Sequence, residues 1–147
     1  MTNVVFGNYN FKQKVVNDTH HIFDVVRGKF VVLTPEEWVR QHVIHYLIIE
    51  KKYPKPLLAV EKQILLNGLR KRCDVVAYNR DAKPFLLVEC KAHDVPLNND
   101  VLMQILQYNQ KLNVPFLWVS NGTENFCFDT QQGGLMLTEL PAFVSAP

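Results

Sequence analysis

The sequence predicts an α/β domain built on a mixed sheet, in the order helix, three-strand meander, helix, strand, with helices covering both faces. Three observations predict it. Thr34-Pro35-Glu36-Glu37 is a helix start, with a capping threonine, proline at the first position and acids in the first turn. Asn67-Gly68 between two strand-like runs is the strongest short hairpin signal a chain can carry. Phe85–Lys91, a helical stretch and the apolar run Phe116–Val119 form a βαβ pattern, which calls for parallel neighbours in a sheet covered on both sides.

Element by element, residues 1–20 show weak periodicity and read as an irregular or edge segment. Ile22–Arg27, Gly28-Lys29 and Phe30–Leu33 resemble a small hairpin. The first helix runs from the Thr34 cap to about Lys52, where Tyr53-Pro54-Lys55-Pro56 stops it. The meander occupies about 57–91, its second turn centred on Asp81-Ala82. Ala92–Leu97 is a loop, and Asn98-Asn99-Asp100 caps a helix over about 100–112. Val101, Leu102, Ile105, Leu106 and Leu112 form its apolar stripe. Asn125–Asp129, Gly133-Gly134 and Leu135–Thr138 suggest a closing hairpin. With no linker, repeat or low-complexity stretch, residues 1–147 read as one domain, with a core over about 34–120 and the terminal hairpins as extensions.

The chain has 147 residues, 48% hydrophobic and 20% charged, as expected of a globular protein with a sizeable core. Its net charge of +2 does not by itself argue for nucleic acid. The local clusters Arg70-Lys71-Arg72 and Lys51, Lys52, Lys55 serve equally a phosphate backbone or a solvated loop. Cys73, Cys90 and Cys127 are widely spaced, which argues against a disulfide framework or structural zinc and for a reducing compartment. No apolar run approaches the roughly 20 residues that cross a bilayer. Nor does the N-terminus carry a signal-peptide pattern. A cytoplasmic protein without membrane contact is the expectation.

The turns align three carboxylates. A two-residue turn at Asn67-Gly68 sets Glu61 opposite Asp74, and a turn centred on Asp81-Ala82 sets Asp74 opposite Glu89. Side chains directly opposed lie about 4.5–5.5 Å apart at Cβ, where like charges repel. A hard divalent cation resolves that repulsion. Alternation puts Lys91 on the Glu89 face and turns Cys90 away as a small buried hydrophobe. Bound metal lowers the pKa of water and stabilises charge on a phosphoryl oxygen, and Lys91 is placed to serve the water or the phosphate. The plain alternative is a solvated sheet end balanced by Arg72–Glu89 and Asp74–Lys91 diagonal pairs, which need no function. His42 and His45 fit a helix-surface pair, His20-His21 a loop, and His93 a loop near the proposed site.

Asp74, fourteen intervening residues and Glu89-Cys90-Lys91 resemble the PD-(D/E)xK nuclease signature, with Cys73 where the named motif has proline. The α-β-β-β-α-β order is similar to that superfamily's restriction-endonuclease-like core, and Gln104-Ile105-Leu106-Gln107-Tyr108 resembles its Gln-x-x-x-Tyr pair on the following helix. Over roughly 30–140 the likeness is to the N-terminal nuclease domain of type I restriction R subunits. The resemblance implies Mg²⁺ (or Mn²⁺) held by Asp74, Glu89 and the Cys90 backbone carbonyl, with Lys91 assisting hydrolysis and Gln104 and Tyr108 positioning lysine or substrate. Glu61 enters on register, as a ligand or an acid just behind one; Glu37 is a further candidate because some members draw an acid from the first helix. DNA is the implied substrate, with a homodimer or other restriction-modification subunits as partners. No Gly-x-x-x-x-Gly-Lys-[Ser/Thr] loop is present, so these residues carry no ATP-driven motor. Two functions follow: a metal-dependent nuclease, or a nucleic-acid-binding or assembly module that keeps the fold without cleaving.

Overall fold

The computed structural model describes residues 1–143, in which nine strands form two sheets, accompanied by two α-helices and two short 3-10 turns. A small antiparallel sheet takes β1 (Gln13–Val16), β2 (Thr19–Asp24) and β3 (Lys29–Val32). The main sheet has six strands in sequence order: β4 (Leu58–Leu66), β5 (Leu69–Tyr78), β6 (Pro84–Cys90), β7 (Phe116–Ser120), β8 (Asn125–Asp129) and β9 (Leu135–Leu137). All neighbours pair antiparallel except β6 and β7, which run parallel through helix α2 (Asn99–Gln110), as the βαβ pattern requires.

Helix α1 (Pro35–Ile49) begins where its cap predicts: the Thr34 hydroxyl accepts from the Glu37 amide at 3.0 Å. It ends before Lys52, whose φ of 62° turns the chain so that the Tyr53 amide closes onto the Leu47 carbonyl. Its apolar face packs Val39, Val43, Ile44 and Leu47 against Val75, Ala77, Leu86, Val88 and Trp118. On the other side of the sheet, Leu102 and Leu106 of α2 meet Val76, Leu87, Leu117 and Val119. Both helix layers are therefore apolar contacts, with each fully buried aliphatic side chain worth about 1.5–3 kcal/mol.

The register matches the turn arithmetic. Leu66 pairs Leu69 around Asn67-Gly68, whose φ values of 51° and 75° define a two-residue hairpin turn. Val60 opposite Val75 and Lys62 opposite Cys73 bracket Glu61 against Asp74. Val75 opposite Val88 extends to Asp74 against Glu89, and a shift at Ala77/Tyr78 absorbs the irregularity of the longer turn.

One reading sharpens and two change. The segment read as irregular or edge holds an edge strand, β1, joined to β2 through Asn17-Asp18 at φ 51° and 62°. The first hairpin turns at Val25–Gly28, not at Gly28-Lys29, because the Asp24 carboxylate captures the Val26 and Arg27 amides and the Asp24 carbonyl takes Gly28. His20-His21 lies in β2, not in a loop. Among the described residues no helix is long and apolar enough to cross a membrane.

Candidate active site

Strict alternation fails in the middle of β5. Cys73 and Val76 pack on the α2 side while Val75 and Ala77 pack on the α1 side, so the chain changes phase at Asp74. Opposite it, Glu61 has a left-handed φ of 53°, unusual for a non-glycine residue in a strand. The Asp74 carboxylate lies where the ladder opens: Oδ2 accepts the Cys90 amide at 2.7 Å and Oδ1 accepts Arg40 Nη2 at 3.0 Å. Glu89 is held on the α2 side, its Oε1 at 3.4 Å from Lys71 Nζ.

Asp74 and Glu89 nevertheless line one small, partly open hollow, with Lys71, Arg72, Cys73 and Asn109 among its walls and room for about one water molecule (about 10 Å³). Glu89 Oε2 is buried without a hydrogen-bond partner, as is Asn109 Oδ1, whose amide nitrogen donates to the Ile105 carbonyl at 2.7 Å. Next to it, Gln104 and Tyr108 join Lys71, Glu89, Ile105 and Asn109 around an open hollow of about 240 Å³. Lys71 Nζ sits 5.2 Å from the centre of the Tyr108 ring, and the Tyr108 hydroxyl donates to the Arg70 carbonyl at 3.3 Å. The Gln-x-x-x-Tyr pair thus faces Glu89.

Glu61 belongs to a different group. Arg40 Nη2 lies 3.0 Å from Glu61 Oε1, 3.0 Å from Asp74 Oδ1 and 3.2 Å from Glu36 Oε1, while Nη1 lies 2.7 Å from Glu37 Oε1. One buried guanidinium therefore meets four carboxylates. Burial disfavours its charge, but Glu37 and Asp74 outweigh that and raise its pKa. Glu61 also takes Arg72 at 2.8 Å, and this bond holds its pKa below the ordinary value. Glu37 is buried and shared by Arg27, Arg40 and Gln41, so its oxygens are committed to joining elements. Asp24 completes the network: burial works against its charge, but the Arg27 and Gln41 hydrogen bonds prevail and lower its pKa.

Lys91 follows β6 directly, its amide donating to the Ser120 carbonyl at 2.8 Å. Burial and the Asp74 charge push Glu36 above its usual pKa, whereas Arg40 and Lys91 pull it back. The diagonal pairs expected from a solvated sheet end, Arg72–Glu89 and Asp74–Lys91, are replaced by Arg72–Glu61, Lys71–Glu89 and Arg40–Asp74. Cys90 is buried, and that burial raises its thiol pKa well above the ordinary value. His42 and His45 bond the Trp38 and Gln41 carbonyls at 2.8 and 2.9 Å and pack on Phe11, which makes them structural.

Sequence reasoning missed Arg40, Lys71 and Asn109. A signal existed for two of them. Arg40 stands three and four residues from Glu37 and Glu36 on an evident helix, and Asn109 interrupts the apolar stripe three residues after Leu106. Lys71 is one cation among three consecutive ones, and nothing distinguishes it before the fold is known.

The donor set suits a hard divalent cation in kind. Mg²⁺ uses one or two carboxylates and keeps waters; Glu89 with its orphaned Oε2 and the Asn109 amide oxygen are hard oxygens beside one hollow, which Asp74 also lines while its carboxylate oxygens bond Arg40 and the Cys90 amide. Among the described residues, no three His, Cys, Asp or Glu side chains are gathered as a ready-made metal cluster, and Arg40 and Lys71 supply the counter-charge.

Comparison with known proteins agrees with this architecture. No curated protein sequence matches the chain. A fragment structure assigned as the HsdR subunit of a type I restriction enzyme from Vibrio vulnificus YJ016 is similar in fold, with a TM-score of 0.53 and 22% identity. The match covers 75% of this chain and 24% of that one, so the chain spans about a quarter of that neighbour's length. The family described as Type I restriction enzyme R protein N terminus (HSDR_N) matches residues 35–143, from the first turn of α1 to the end of the described chain. The chain belongs to the family of type I restriction enzyme R protein N-terminal domains.

Proposed function

We propose that this domain is a divalent-metal-dependent nuclease of the PD-(D/E)xK type, hydrolysing phosphodiester bonds in DNA. The observation that carries the reading is that Asp74 and Glu89, register neighbours on β5 and β6, line one hollow beside which a Glu89 carboxylate oxygen is buried and unpartnered. An uncompensated buried carboxylate oxygen is costly, and such groups concentrate where a ligand will satisfy them. Asp74 and Glu89, with the Cys90 backbone carbonyl, would hold Mg²⁺ or Mn²⁺. When bound, the ion offsets charge on the phosphoryl group.

The chain's own residues do the rest. Arg40 fixes one Asp74 oxygen and the Cys90 amide fixes the other, so the acid is oriented before substrate arrives. Lys91 brings a cation to the end of β6, where it orients a phosphate or the attacking water. Gln104 and Tyr108 line the open hollow beside Glu89 and position the lysine or the nucleic acid. Glu61 acts through Arg40, not as a direct ligand. The rival reading, a nucleic-acid-binding or assembly module without cleavage, is favoured by the same Arg40 ion pairs, which already neutralise Asp74. In either case association with other restriction-modification subunits or a second copy fits the family.

Incubating the protein with linear and circular DNA in Mg²⁺, Mn²⁺ or EDTA separates these readings. The nuclease predicts metal-dependent cutting that disappears in Asp74→Ala and Lys91→Ala. Cutting that persists in either variant overturns the mechanism, and salt-sensitive DNA binding without cutting favours the module.

A further inference from the structure

The family match begins at residue 35, so the β1–β2–β3 sheet lies outside it. Pairing fixes its two faces. Ile22 and Asp24 point inward and are fully buried. The positions between them point outward: Lys14 pairs His21, which pairs Val32, and Phe23 pairs Phe30. Lys12 joins this outward face, its ammonium 5.2 Å from the Phe23 ring centre, and Lys14 lies 4.2 Å from that of Phe30. The two rings meet edge to face at 5.2 Å and are partly buried, while Val32 beside them is 50% exposed.

No Asp or Glu occupies an outward position of the three strands; Asp18 sits in the β1–β2 turn. An antiparallel face with aromatic rings, lysines and no carboxylate is complementary to a polyanion whose units carry flat apolar surfaces. The rings decide between nucleic-acid forms. Only unpaired bases can stack on a side chain projecting from a sheet, whereas duplex bases are already stacked on each other. The sheet is also fixed close to the candidate site. Arg27, in the turn after β2, reaches Glu37 at 2.8 Å, and Glu37 binds the Arg40 that holds Asp74.

We propose that the outward face of the β1–β2–β3 sheet binds single-stranded nucleic acid, with phosphates on Lys12 and Lys14 and bases stacked on Phe23 and Phe30. This rests on the nucleic-acid reading above and adds to it the form of the strand and the surface that holds it.

Fluorescence anisotropy of the whole chain in EDTA, with labelled oligo-dT and a duplex of equal length over a range of salt, tests it. The Lys12→Gln/Lys14→Gln double variant is expected to flatten the log–log salt dependence for oligo-dT by about 1.4, from roughly 0.7 per phosphate contact. Phe30→Leu, which keeps an apolar side chain but removes the ring, is expected to weaken oligo-dT binding about fivefold or more while leaving duplex binding and the melting temperature unchanged. An unchanged salt slope in the lysine variant overturns the proposal. So does Phe30→Leu binding oligo-dT like the parent, or a face that takes polyglutamate in preference to oligo-dT. Because EDTA prevents metal-dependent cutting, oligo-dT binding that responds to these variants in a protein that never cuts DNA sinks the nuclease reading alone. Cutting with no response to them sinks this proposal alone.

Discussion

Arg40 is the residue on which the candidate site turns. Its side chain is 6% exposed and within ion-pair distance of Glu36, Glu37, Glu61 and Asp74, while its Nε is buried without a partner. The exposed Arg72–Glu61 pair contributes little, since solvent screens it. Arg40 is different because Glu37 is buried with it, and removing the cation strands a buried carboxylate. Arg40→Met should therefore cost about 3–5 kcal/mol in urea unfolding, whereas Arg72→Met should stay within about 0.5 kcal/mol of the parent. Only half of this was legible in the sequence. The helix spacing to Glu36 and Glu37 was visible, but contact with Glu61 and Asp74 depends on how α1 crosses the sheet, which no local pattern encodes. Glu37, a candidate ligand from family likeness, proves to be the internal partner of two arginines.

At the scale of elements the legible parts are those governed by turn chemistry. Asn67-Gly68 set the β4–β5 register, which put Glu61 abreast of Asp74, and the β5–β6 turn around Asp81-Ala82 put Asp74 abreast of Glu89. Gly68 has φ 75° with nothing within 4 Å of a built Cβ, so its cost on substitution is purely conformational. Gly68→Val should destabilise the protein by about 1–2 kcal/mol in thermal unfolding, since a β-branched residue resists positive φ. What alternation hid was the phase change at Asp74, where adjacent side chains stop taking opposite faces because Glu61 turns left-handed across the ladder. That is why Glu89 faces α2 and Lys71, although its register partner Asp74 reaches Arg40 on α1. Strand β1 was legible only as an irregular or edge segment, because Gln-Lys-Val-Val is exposed along its whole length and shows no buried alternation.

At the scale of the molecule, two helices sandwich a mixed sheet, and polar chemistry collects where β6 ends beside the middle of β5. Asp74 faces the first helix and Glu89 the second, and the small hollow that both residues line is walled on the helix side by Asn109 of α2. The helix–meander–helix–strand order was readable from caps, hairpin signal and the apolar β7 run, because each is a local rule that agrees with the global fold. The small N-terminal sheet adds a basic, aromatic face at one side, outside the residues the family shares. The central claim is that Asp74 and Glu89 form a divalent-cation centre. Calorimetric titration of Mn²⁺ into the parent and Glu89→Gln proteins, with melting temperatures recorded for both, tests it most directly. The account predicts saturable binding to the parent and binding at least about tenfold weaker in Glu89→Gln, with both proteins equally folded. Equal Mn²⁺ affinity in the two proteins would contradict it.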